Sequence, residues 1–193
     1  MELCMGTPSM TVFISLLRGV NVGGHNRIKM EPLVALYESL GLRNVQSLLQ
    51  SGSVIFKTKE QDLVRLTARI GNGIERTFGF RPGVIVRTVS DLRDVIARNP
   101  FATRPGIDPS RLLVTFLAAD PGSEARDKAL GIKADPEELH IHGRELFIYF
   151  PNGMARPKVP WTAIEKALKT PGTGRNWNSV TKLLEIAEKM ATS

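Results

Sequence analysis

The chain has 193 residues, 42% of them hydrophobic, and a formal charge of +7 with a pI near 9.9. A chain of that length can bury roughly 70% of the surface its unfolded form exposes, so a core needs neither metal nor disulfide to hold it. The single cysteine, Cys4, excludes an intramolecular disulfide framework and a cysteine metal cluster, and fits a reducing compartment, the cytoplasm by default.

The opening MELCMGTPSM has neither the basic region nor the apolar run of a signal peptide, and no later stretch approaches the roughly 18 apolar residues of a membrane span. Residues 1–9, with Thr7, Pro8 and Ser9, are expected to form a flexible tail in which Cys4 is incidental. Thr11 to Arg18 is a β-branched and apolar run that reads as a buried strand leaving into a glycine-rich loop. A helix follows from Pro32, with Leu33, Leu36, Tyr37 and Leu40 on one face and Gly41 as its C-cap. Val45–Gln50 and Val54–Thr58 read as antiparallel strands joined through Ser51-Gly52-Ser53.

A second helix is expected over Gln61–Phe78, its apolar stripe continuous although Gly71 and Gly73 weaken it by roughly 1 kcal/mol each. Pro82–Val89 supplies the next strand, and Ser90 is the expected N-cap of a short helix ending before Asn99-Pro100. The order β-α-β-β-α-β is the split arrangement of ferredoxin-like folds. The second half partly repeats it: a strand over Arg111–Ala118, a helix over Glu124–Leu130, a hairpin of Leu139–Ile141 and Glu145–Phe150, and a helix over Pro160–Lys169. Where a last strand is due, Gly172-Thr173-Gly174 is expected to lead straight into a helix through Val180, Leu183, Leu184, Ala187 and Met190.

The expected fold is therefore α+β: two ferredoxin-like halves over 10–89 and 110–193, the second ending in a helix, linked by a helix and loop over 90–109. Their antiparallel-rich sheets carry helices on one face. One continuous sheet is the competing arrangement.

Four segments, RGVNVGG at Arg18–Gly24, LQSGSVIF at Leu49–Phe56, NPF at Asn99–Phe101 and GRNWNS at Gly174–Ser179, resemble in order and spacing the bacterial family catalogued as domain of unknown function 1697. The resemblance runs from about Met10 to Ala187 and implies duplicated ferredoxin-like halves, with no agreed reaction or cofactor. The chain departs from the family pattern at Ser53, Pro157-Lys158-Val159 and Gly174. Pro157 offers neither hydroxyl nor N–H, which weakens any serine-based role beside Lys158.

The RGVNVGG loop leaves a buried strand, and Gly19, Gly23 and Gly24 would let its N–H groups approach an anion ahead of a helix start, with Arg18, Arg27 and Lys29 flanking and Asn21 able to orient a ligand. It is neither a Walker A motif nor a dinucleotide fingerprint. The competing reading is a tight turn that needs positive φ. Gln50 and Ser51 of the QSG turn belong to the same candidate set. So do Lys158 and the run Arg175, Asn176, Trp177 and Asn178, which combines a charge, hydrogen-bonding amides and a stacking face. Asn178 is the expected N-cap of the last helix.

His140 and His142 alternate along a strand and lack further ligands, so no metal is expected. Hydrolase templates find no match: there is no G-x-S-x-G, H-E-x-x-H or activated cysteine. The positive charge, concentrated from Pro151 to Ser193 with seven Lys or Arg against three Glu, favours phosphate-bearing partners. Any contact with nucleic acid is expected to be independent of sequence. The leading expectation is a protein that binds a phosphate-bearing ligand (a nucleotide, a coenzyme or a nucleic-acid backbone), the alternatives being an enzyme acting on a small phosphorylated or nucleotide-linked substrate and a structural or protein-interaction module. No cofactor, oligomeric state or membrane partner is specified.

Overall fold

In the computed structural model, which describes residues 9–193, β-branched and apolar residues pair as expected. The tail through Pro8, with Cys4, lies outside the described residues. The first half runs β1 (Thr11–Arg18), α1 (Met30–Ser39), β2 (Arg43–Leu48), β3 (Ser53–Thr58), α2 (Leu63–Phe78) and β4 (Gly83–Thr88). Its strands form one antiparallel sheet in the order β2-β3-β1-β4. After α3 (Val89–Ala97) come β5 (Leu112–Leu117), α4 (Ser123–Leu130), β6 (Glu138–His142), β7 (Glu145–Tyr149), α5 (Trp161–Leu168), β8 (Gly172–Asn176) and α6 (Trp177–Thr192). The second sheet, β6-β7-β5-β8, is separate and repeats the order of the first.

Alternation along the strands sets what each face buries. Phe13 and Leu17 of β1, with Val54 and Phe56 of β3, pack under α1 and α2 against Leu33, Tyr37, Leu66 and Ile70. The intervening Val12, Ile14 and Leu16 turn the other way, into a second core they share with Val114 and Phe116 of β5 and with Leu183 and Ala187 of α6. Helix α6 packs on β1, β2 and β3 as well as on β5 and β8. One core therefore crosses both halves.

Three expectations are corrected. The repeat does not break after α5: Gly172–Asn176 is a strand, paired with β5 from Leu117↔Gly172 to Leu113↔Asn176. A GTGRN sequence lacks the apolar alternation of a strand because neither of its faces packs as ordinary core. Second, helices do not cover one face alone: α1, α2, α4 and α5 lie on the outer faces, while α3 and α6 join the core between the sheets. Third, the helix caps shift. Thr88, not Ser90, caps α3 in a reciprocal capping box with Asp91, since β4 passes into the helix without a linker. Asn176, not Asn178, caps α6, accepting from the Asn178 N–H. Leu40 rather than Gly41 is the C-cap of α1.

Candidate functional site

Gly19, Gly23 and Gly24 leave β1 with φ of 74°, 60° and 82°, so the loop has the backbone that a strand-to-helix turn requires. Asn21, itself at φ 57°, holds it shut. Its Nδ2 donates to the carbonyls of Ile28 and Gln50 at 2.9 Å each, and its Oδ1 accepts from the Ile28 N–H. The first loop and the QSG turn are thus pinned together by one side chain. Beyond Gln50, Ser51 Oγ lies 3.0 Å from Ser53 Oγ, and Ser53 Oγ in turn accepts from Arg175 Nε at 2.8 Å. Residues from RGVNVGG, QSGS and GRNWN therefore meet in one polar chain.

Arg175 does not face solvent. It is 6% exposed, and burial pushes its guanidinium down to about 10. Nη1 donates to Thr173 Oγ1 and the Gly174 carbonyl, and Nη2 to the Leu17 carbonyl at 2.9 Å. Alternation along β8 explains this: Thr173 and Arg175 point at the first sheet, Gly172 and Gly174 at α5. Among the described residues no carboxylate bonds Arg175.

The other expected residues are dispersed. Arg18, at the end of β1, is half-exposed and pairs with Glu165 of α5 at 2.8 Å. Lys158 is exposed, and its backbone N–H donates to Glu137. Asn176 Nδ2 donates to the Ser110 carbonyl, Trp177 opens α6 against the shared core, and Asn178 is exposed. The NPF segment is structural: Asn99 Oδ1 accepts from the Phe101 N–H, and Phe101 is buried edge-on to His140. His140 and His142 are both exposed, and among the described residues no cluster of three or more His, Cys, Asp or Glu is placed to hold a metal.

A depression of about 450 Å³ lies beside the pinned loop, lined by Asn21, Gly24, Arg27, Ile28, Lys29 and Gln50. Lys29 is the N-cap of α1, in extended conformation, and no side chain caps the helix there. Because Pro32 lacks an N–H, the orphan donors of the first turn are those of Met30 and Glu31. Arg27 and Lys29 had only flanking roles in the sequence pattern; their place in the depression comes from Asn21, which closes the loop from Asn21 to Ile28.

Arg87 is a second buried arginine and lies in none of the sequence motifs. It is 1% exposed, lies in β4, and donates to the Leu117 carbonyl at 2.8 Å and to Glu145 at 3.2 Å. Burial and the nearby Arg144 lower its affinity for the proton, while Glu145 raises it. The signal was available: one charge in the otherwise apolar strand run GVIVRT.

A family model described as "Protein of unknown function (DUF1697)" matches residues 10–147. Lys158 and the GRNWNS segment fall outside the matched residues. No curated protein matches the chain. A solved structure described as "The structure of conserved bacterial protein SP0830 from Streptococcus pneumoniae" is similar, at 19% identity and a TM-score of 0.68, over 93% of this chain and 99% of that one. At that identity the likeness concerns the fold. No helix among the described residues is long and apolar enough to cross a membrane.

Proposed function

The chain belongs to the DUF1697 family, whose description names no reaction, and we propose that it binds a phosphate-bearing small molecule, of the nucleotide or coenzyme class, in the depression at the start of α1. The observation that carries this reading is the uncapped first turn of α1 beside Arg27 and Lys29. Unsatisfied N–H groups and the positive end of the helix dipole favour an anion there, and a guanidinium adds a planar fork that matches phosphate oxygens. Asn21 keeps Gly24 and Gln50 in place on the rim. Arg175, a buried cation with only neutral acceptors, adds positive potential behind the Ser51–Ser53 turn. Glu31, in the first turn of α1, already places one carboxylate at this end, so Glu31→Gln should strengthen anion binding.

The test is a thermal-shift panel of inorganic phosphate, mononucleotides, dinucleotides and coenzyme A. A ligand at a hundred times its dissociation constant stabilises the fold by about 2.7 kcal/mol, a melting shift of roughly 5 to 11 °C for a chain of this size. Arg27→Ala and Lys29→Ala should remove most of a hit's shift, and Lys158→Ala should leave it. The reading fails if no anion shifts the wild type, or if hits persist with Arg27 and Lys29 both replaced.

A further inference from the structure

We propose that the free edge of β4 takes up an extended, acidic peptide segment, which joins the first sheet as a further strand in the groove between β4 and α2. The sheet order β2-β3-β1-β4 ends on β4, so one side of it has no partner strand. The Leu17 N–H donates to the Gly52 carbonyl, which sets the alternation along β1: odd-numbered residues bond toward β3 and even-numbered ones toward β4. Ile14 and Leu16 pair with Arg87 and Ile85, so the backbone groups of Val84, Val86 and Thr88 point outward. The Thr88 N–H is taken by Asp91, and the Val86 carbonyl by the Arg87 guanidinium. The Val84 N–H and carbonyl and the Val86 N–H are left for a strand laid alongside, and both valines line the groove.

Nothing in the sequence of β4 protects this edge. Proteins blunt edge strands with charge, proline or a bulge. The opposite edge of the sheet, β2, has an exposed Arg43 and a register shift between Arg43 and Gln46. By contrast β4 reads GVIVRT, pairs with β1 without a shift, and turns its one charge, Arg87, inward.

The groove measures about 500 Å³. Its helix wall includes Ala68, Gly71 and Val64, which at 81% exposure is the barest large apolar side chain among the described residues. A Cβ at Gly71 would meet only the Arg81 guanidinium, at ordinary contact distance, whereas at Gly73 it would press on Leu40 at 3.1 Å. Packing explains Gly73. The glycine at 71 weakens the helix and widens the groove.

The ends of the groove select the charge of the occupant. Arg81 stands just before β4, and Arg144 reaches Asp91 in the first turn of α3, just past the other end. Among the described residues no Asp or Glu lines the groove. Arg81 meets Glu75 at 3.2 Å and Arg144 meets Asp91 at 3.4 Å, each pair open to water and made through one terminal nitrogen. The remaining donors of each guanidinium can take a second carboxylate. Six residues of strand span about 20 Å, so a peptide with a carboxylate near each end meets both arginines. A second copy of the chain fits worse: two β4 edges pairing antiparallel would set Arg81 of each beside Arg87 and Arg144 of the other.

The probe is the labelled, end-blocked peptide Glu-Val-Thr-Val-Thr-Glu, read by fluorescence anisotropy. It should bind saturably and slow hydrogen exchange at the Val84 and Val86 amides. Lysine in place of both glutamates should weaken binding about tenfold, as should Arg81→Ala with Arg144→Ala, the effect of two lost exposed ion pairs. Val84→Pro removes an outward N–H at an edge position where proline is tolerated, and should abolish binding with the melting point near the parent's. N-methylation of the peptide's central residues, which leaves the protein untouched, should abolish it as well. Arg27→Ala should leave it intact, which separates this groove from the depression at α1. No saturable binding, equal affinity for the lysine peptide, binding that survives Val84→Pro or N-methylation, or a dimer of the free protein that Val84→Pro dissociates would each overturn the proposal.

Discussion

Arg87 and Arg175 occupy equivalent places in the two halves and each reaches across to the other's first strand. Arg87 donates to the Leu117 carbonyl at 2.8 Å, and Arg175 to the Leu17 carbonyl at 2.9 Å. Arg87 pairs with Ile14 in one sheet and Arg175 with Val114 in the other, so each accepting carbonyl lies three residues beyond its own strand's paired residue. The exchange is reciprocal in geometry and unequal in charge: Arg87 has Glu145 beside it, whereas Arg175 bonds neutral acceptors.

Replacing either arginine strands buried carbonyls and hydroxyls and opens space in the junction. Arg175→Ala should cost about 2–4 kcal/mol and lower the melting point by roughly 5 to 15 °C, and Arg87→Ala should cost a similar amount. Urea denaturation measures both. Losses below about 0.5 kcal/mol, the range of an ordinary surface change, would contradict the clasp.

The strand assignment of β8 has its own test in the two glycines. Gly172→Ala drives a methyl onto Thr115 and near the Phe116 carbonyl and should cost roughly 1–3 kcal/mol as overpacking. Gly174→Ala meets only Leu113 methyls and should cost less than half as much. Equal costs in denaturation would show that the glycines do not face the sheet as paired.

Asn21 makes three side-chain hydrogen bonds from a left-handed backbone. Asn21→Gly should keep the conformation and lose the bonds, at about 1–3 kcal/mol, with Asn21→Ala costing more because of added strain. Hydrogen exchange at the Ile28 amide should accelerate in both. An unchanged Ile28 amide would mean that the loop is held by something else.

Lys182 and Lys189 hold the Glu185 carboxyl down to about 2, from an ordinary value of 4.5. A lowered carboxyl favours the folded state above about 4.5, and that contribution fades as pH falls toward 2. An NMR titration of Glu185 should show the lowered midpoint at low salt, and Lys182→Ala or high salt should move it upward. A midpoint unaffected by Lys182→Ala would contradict the pairing.

What the sequence disclosed, and what it hid, divides along physical lines. The apolar run Thr11–Arg18 and the helix stripe of Leu66, Ile70 and Ile74 could be read because their neighbours in sequence report their burial. The strand Gly172–Asn176 could not, because one face is bare above a cavity and the other is engaged with the first sheet. Arg175 looked like a ligand for the same reason. Its acceptors Ser53 and Leu17 lie 122 and 158 residues away, a distance no local pattern carries. Asn176 and Asn178 are equally good caps by composition, and only the end of β8 decides between them. The convergence of the first loop with the QSG turn rests on the Leu17 N–H, which donates to the Gly52 carbonyl, and on Asn21, whose reach to Gln50 spans 29 residues.

The most direct test of phosphate binding at α1 is a two-dimensional amide NMR titration with inorganic phosphate and then a mononucleotide. Binding as proposed should produce the largest shifts at Gly24, Arg27, Met30 and Glu31, with smaller ones at Gln50, and Arg27→Ala should suppress them. Largest shifts along α6 or around His140, or no saturable shifts at all, would contradict it.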